Sequence, residues 1–215
     1  MSKNYDEIIE KRIADGREYR NMEIRAAEDG NEAMTVEGYA TTFNQPYLLW
    51  SEDNYRVYEQ VDRDAFAGCD MSDVIMQYDH EGRVFARMSN GTLTCTPDEH
   101  GLLTRANLGG TEQGRQLYEE IRGGYTNKMS FGFTVADDNR EINENKETGE
   151  VTITRTIRKL KKLFDVSAVS LPANPATNIS ARSYGEGAIA EAKAERQRAE
   201  EELIAKRKLI TLINL

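Results

Sequence analysis

Apolar and polar residues alternate along much of this chain in short runs, clearest in VFARM (84–88), TLTCT (92–96), LLTRANL (102–108), MSFGFTV (129–135) and VTITRTI (151–157). A period of two puts one face of a strand against a core. The segment PDEHG between TLTCT and LLTRANL reads as a hairpin turn, and EDGN (28–31) as a second turn inside MEIRAAEDGNEAMTVEGYATTF (22–43). Helical spacing is confined to three places. Ile8, Ile9 and Ile13 predict a short helix within 5–19, and TEQGRQLYEEIRGG (111–124) predicts one that starts at Thr111, buries Leu117, Tyr118 and Ile121 and stops at Gly123 and Gly124. From Gly185 onward Ala, Glu, Lys and Arg dominate without proline, a helix-forming composition with a sparse apolar stripe that ends in LITLINL (209–215). The polar stretch ADDNREINENKETGE (136–150) reads as a solvated loop between two strands.

Many short strands separated by turns, with few helices, predict a mainly β member of the α+β class, its sheet closed into a barrel or sandwich. The expected division is a helical extension over 1–20, a main domain over 21–182 and a helical tail over 183–215. At 215 residues the chain can bury a substantial core. A net charge of −9 disfavours nucleic acid and anionic membrane surfaces as partners. No run approaches the roughly 18 apolar residues of a membrane span, and MSKNYDEIIEKR has no apolar signal core, so a cytoplasmic protein is expected. Cys69 and Cys95 are too few for a disulfide framework and lack zinc-ligand spacing. Neither a metal nor a cofactor is expected.

One serine stands out. NKMSFGF (127–133) sets Ser130 among Met129, Phe131 and Phe133 on a strand, where a hydroxyl is either a small filler or a nucleophile. A nucleophile needs a base, and the chain has two histidines. His100 lies in the PDEHG turn and reads as solvated. His80, in VIMQYDHEGRVFARM (74–88), follows an apolar strand and precedes the turn at Gly82, where a rigid sheet can hold an imidazole. Cys95 falls in an alternating run and reads as an inert buried thiol. Cys69 sits beside Asp70, whose charge works against a thiolate.

The segments VEGYATTFN (36–44), QYDHEGRVFARM (77–88), NKMSFGF (127–133) and LFDVSAVSLPANPAT (163–177), in this order, resemble the prohead proteases of tailed bacteriophages over roughly residues 20 to 180. That family looks like a relative of the herpesvirus assembly proteases. The resemblance implies their fold, a small, largely antiparallel barrel surrounded by helices, and a serine endopeptidase of capsid maturation. It places the nucleophile on Ser130, the base on His80 and the third, acidic member on Asp165. Asp79, Glu81 and His100 remain conceivable orienters of the base, and no oxyanion donor is assigned. The implied partners are the major capsid protein or its scaffolding segment and the chain itself as substrate, inside the immature capsid in the host cytoplasm. A homodimer is compatible with this. The competing reading is a non-enzymatic scaffold with a barrel core and a docking tail. Cleavage specificity and the self-cleavage position are not readable.

Overall fold

The strands sort into two sheets that face each other across one core. The structure, a computed structural model, describes residues 3–28, 34–170 and 175–213. Helix α1 (Lys3–Ala14) leads into β1 (Glu18–Glu23) and the short β2 (Arg25–Ala26). Next come β3 (Thr35–Thr42), β4 (Tyr47–Glu52) and β5 (Tyr55–Val61), then the hairpins β6 (Ile75–Tyr78) with β7 (Glu81–Arg87) and β8 (Leu93–Pro97) with β9 (Gly101–Asn107). Helix α2 (Glu112–Arg122) precedes the long strands β10 (Lys128–Glu144) and β11 (Val151–Val169), and α3 (Pro175–Ile213) ends the described chain.

The larger sheet runs β1-β10-β11-β5-β4, with β6 also on β11 and β7 on β6; the smaller runs β2-β3-β9-β8. The expected barrel is not formed, because β1, β4 and β7 remain edges of one sheet and β2 and β8 edges of the other. Two strands share one edge of β11: Val151–Ile157 pairs in parallel with β5 and Asp165–Ala168 in parallel with β6. Val36, Leu93 and Leu102 of the small sheet pack with Met129, Phe131 and Val166 of the large one, and α2 adds Leu117 and Ile121.

Local signals were followed closely where caps and turns are explicit. Thr111 caps α2 by accepting from Gly114 N at 3.0 Å. The first helix ends earlier than its pattern predicts, because Gly16 turns the chain with a φ of 83° and releases Tyr19 into β1. β2 pairs with β3 as the hairpin pattern requires, although 29–31 of its EDGN turn lie outside the described residues, as do 171–174 of LPANP.

The polar stretch 136–150 is a correction. It is strand as far as Glu144, and only 145–150 turn. Its polarity reflects an exposed ribbon held by its partner: Val151 and Ile153 of β11 are buried with Tyr55, Val57 and Ala188, Ile189 and Ala192 of α3. Helix α3 runs through residue 182 without a break. Gly185 lies so close to Trp50 that a Cβ there would come within 2.5 Å of it. Buried packing on the sheet ends at Ala192, and 193–210 are exposed, with Glu195 and Arg196 still paired with Arg140 and Glu144 of β10.

Candidate active site

His80 sits in the β6–β7 turn itself. Tyr78 pairs with Glu81, which leaves Asp79 and His80 as the two central residues, with φ of 50° and 62°. Both in the left-handed region make a primed turn, normally the place of Asn-Gly, and a histidine there is strained. The surroundings hold it. Asp79 N donates to Ala168 O at 2.9 Å, Ser170 N and Oγ donate to the Asp79 carboxylate at 3.0 and 2.9 Å, and Arg12 Nη1 donates to His80 O at 2.9 Å. The imidazole points inward, is 0% exposed, and meets the Tyr19 ring edge-on at 4.5 Å.

The β10–β11 register supplies the rest. Gly132 faces Asp165 and Ser130 faces Ser167, and directly paired residues project from the same face of a sheet. Ser130, Asp165 and Ser167 therefore share one face, with Ser130 diagonal to Asp165 at roughly 7–8 Å between backbones. His80 Nδ1 lies 2.5 Å from Asp165 Oδ2. Gly132 makes this approach possible: a Cβ there would stand 2.7 Å from Asp165 Oδ1 and 2.9 Å from the Tyr19 ring.

Asp165 also accepts from Ser167 Oγ at 3.0 Å, and Arg17 Nη1 stands 3.7 Å from its other oxygen. Burial pushes its carboxyl up, but the charge and hydrogen bond of His80, the Ser167 hydroxyl and the Arg17 guanidinium together hold it below the usual carboxylate range. An ionised carboxylate only accepts, so His80 donates through Nδ1–H, and Nε2 is the nitrogen left out of that pair. That Nε2 and Ser130 Oγ are both buried, and neither has a hydrogen-bond partner among the described residues. Buried polar atoms left this way are rare and costly.

The structure thus brings His80 and Asp165 into contact on the Ser130 face. The other conceivable orienters stand elsewhere: the Asp79 carboxylate binds Ser170, Glu81 is exposed, and His100 is exposed beside Tyr39 of the smaller sheet. Burial pushes the thiols of Cys69 and Cys95 up to about 11, so neither is a ready thiolate. No group of three or more His, Cys, Asp or Glu able to hold a metal occurs among the described residues. An open groove of about 510 Å³ between β10 and α3, bordered by Asp138, Arg140, Tyr184 and Glu191, contains none of the three residues.

Sequence reasoning passed over Ser167, Gly132, Arg17 and Tyr19. The first two had a signal, since Ser167 lies two residues beyond Asp165 on the same strand face and Gly132 two beyond Ser130. Arg17, just before β1, and Tyr19 on it arrive from far away in sequence and had none.

A family profile described as caudovirus prohead serine protease matches residues 20–189. No curated protein and no solved structure matches the chain.

Proposed function

The chain belongs to the caudovirus prohead serine protease family, and from this premise we propose that Ser130 is its nucleophile, His80 its general base and Asp165 the acid that orients the base. Membership makes it a serine endopeptidase of phage capsid maturation, acting inside the prohead within the host. No helix among the described residues is long and apolar enough to cross a membrane.

The chemistry follows from the protonation states. As Ser130 Oγ attacks the carbonyl carbon of a peptide bond, its proton passes to His80 Nε2, and the imidazolium that forms is stabilised by Asp165 through Nδ1–H. His80 then gives the proton to the leaving amine, which departs and leaves an acyl ester on Ser130. Water, deprotonated by His80 in turn, hydrolyses the ester. Ser167 and Arg17 hold the Asp165 carboxylate in line during both steps, and Gly132 keeps space for it. The reading is supported above all by one observation: Ser130 Oγ and His80 Nε2 are both buried and unpartnered, Ser130 shares a sheet face with Asp165, and Asp165 fixes the other nitrogen of that imidazole.

The proposed substrates are scaffolding segments of the major capsid protein and the chain itself. The solvated part of α3, residues 193–210, is the region most open to self-cleavage and to docking on an assembling shell or a second copy of the chain. Residues 183–187, where the expected helical tail begins, lie inside the packed part of the helix, so a cut there requires unwinding first. A distant kinship with the herpesvirus assembly proteases belongs to the same proposal. The test is co-expression with the phage capsid protein. Ser130→Ala and His80→Ala should each lower capsid-protein cleavage on the order of 10³-fold or more while the variants stay folded; wild-type cleavage by either folded variant removes the assignment.

A further inference from the structure

We propose that α1 is a displaceable cover over the His80 turn, which keeps the site closed until the helix is moved. The inference rests on reading Ser130 and His80 as the reacting pair. Attack requires a peptide carbonyl within about 3–3.5 Å of Oγ, yet Ser130 and His80 are each 0% exposed. Some element on that face must therefore move before any substrate enters.

Two strands and two helices meet at this face, and they are anchored very differently. Strands β10 and β11 are paired along both edges within the sheet. Helix α3 is tied down by Ala188, Ile189 and Ala192 in an apolar cluster with four strand residues, by the Arg155 guanidinium stacked 3.9 Å from the Tyr184 ring, and by Ser180 Oγ, which accepts from Tyr19 N at 3.2 Å. Helix α1 packs beside α3, and its described side chains add less. Its buried Ile9 and half-buried Ile13 form a separate small cluster with Tyr19, apart from the main core. Tyr19 in turn meets the His80 ring, and Arg12 of α1 donates to the His80 carbonyl.

The connection to the catalytic groups is direct on both sides. Arg12 ties the helix to the strained His80 turn, and Arg17, just beyond the Gly16 turn that ends α1, reaches Asp165 and lies 3.7 Å from the Phe164 ring. Releasing α1 removes a bond to His80 and uncovers the ring that packs on it. Segments bound by so few contacts open most readily. The helix precedes the region matched by the family profile, residues 20–189.

The test is acylation of histidine by diethyl pyrocarbonate on the full-length protein, mapped by peptide mass spectrometry. The chain has two histidines, and exposed His100 serves as the internal standard. Ile9→Asp and Arg12→Glu, singly and together, should speed modification of His80 by about 10-fold or more while His100 and the circular dichroism stay unchanged. Glu7→Lys, on the exposed side of the helix, should have no effect. If Ile9→Asp unfolds the chain, Arg12→Ala decides alone. His80 as protected in a folded variant as in the wild type overturns the proposal. A fluorophosphonate probe separates the two readings. In samples not treated with diethyl pyrocarbonate, labelling of Ser130 that rises across the same variants supports both, whereas His80 that opens while Ser130 stays unlabelled keeps the cover and removes Ser130 as the nucleophile.

Discussion

Arg155 and Asp165 are buried charges on the same strand, β11, and their surroundings treat them in opposite ways. Arg155 lies in a closed network: its guanidinium binds Glu18, Glu59 and Asp138, Arg20 grips Glu59 at 2.6 and 2.8 Å, and Tyr47 donates to Glu59 at 2.5 Å. None of those carboxylate or guanidinium atoms is left without a partner. Asp165 is also paired, with His80, but the second nitrogen of that imidazole is unpartnered, as is the Ser130 hydroxyl on the same face of the sheet as Asp165. A satisfied network resists change and has nothing left to offer a substrate. An unsatisfied one carries a standing cost that only a reaction partner relieves. The contrast is what a structural charge and the proposed catalytic one should show.

If so, substitutions in the two regions should have reciprocal effects. Asp165→Asn should lower the cleavage rate by about 10⁴-fold, by leaving the base in the wrong tautomer, with little change in thermal midpoint. Glu59→Gln should do the reverse. It leaves Arg20 and Arg155 short of a buried counter-charge, which costs about 3–5 kcal/mol of stability, while the fraction still folded cleaves at close to the normal rate. Calorimetry and a peptide-cleavage assay on both variants check this; a slow but stable Glu59→Gln would erase the distinction.

Within the site the expected effects are smaller. Ser167→Ala removes one hydrogen bond to a charged group, worth about 1.5 kcal/mol, and should lower kcat about 10-fold with KM unchanged, since Ser167 orients the carboxylate and does not touch substrate. A rise in KM alone would place Ser167 in substrate binding instead.

How much of this could be read along the chain depended on the range of the interaction. Ser130 in its apolar run and His80 beside its turn were legible, as were the α2 cap at Thr111 and the hairpin around PDEHG, because each is encoded within a few residues. The Glu59 network was invisible, since Arg20, Glu59 and Arg155 meet only after three separated strands pair. The same holds for Arg17 on Asp165. The parallel pairing of β11 with β5 and β6 left no local trace either, and a polar stretch such as 136–144 passes for a loop when its strand is held by a partner and not by its own apolar face. The tight turn carrying His80 was read one step too late: Gly82 drew attention, whereas the left-handed residues are also Asp79 and His80.

The smallest expected effect is on acid stability. Burial raises the Glu59 carboxyl, but Arg20 and then Arg155 overcome this and bring it down to about 2. A group whose folded value lies below its unfolded one, about 4.3 for glutamate, stabilises the fold fully above the unfolded value and ceases to do so as pH falls through the folded value. Asp165 shifts in the same direction. The urea midpoint should therefore be flat above about pH 5 and fall between there and about pH 2. Glu59→Gln should make that fall shallower, and an unchanged slope would show that Glu59 is not the group being titrated.

The central claim is that Ser130, backed by His80, attacks the peptide bond. It is tested most directly by adding a fluorophosphonate probe to the protein while it is cleaving co-expressed capsid protein and locating the adduct by peptide mass spectrometry. The account predicts one adduct, on Ser130, formed as cleavage stops and absent in His80→Ala. Capsid cleavage that stops with the adduct on another serine, or continues with Ser130 fully modified, would contradict it.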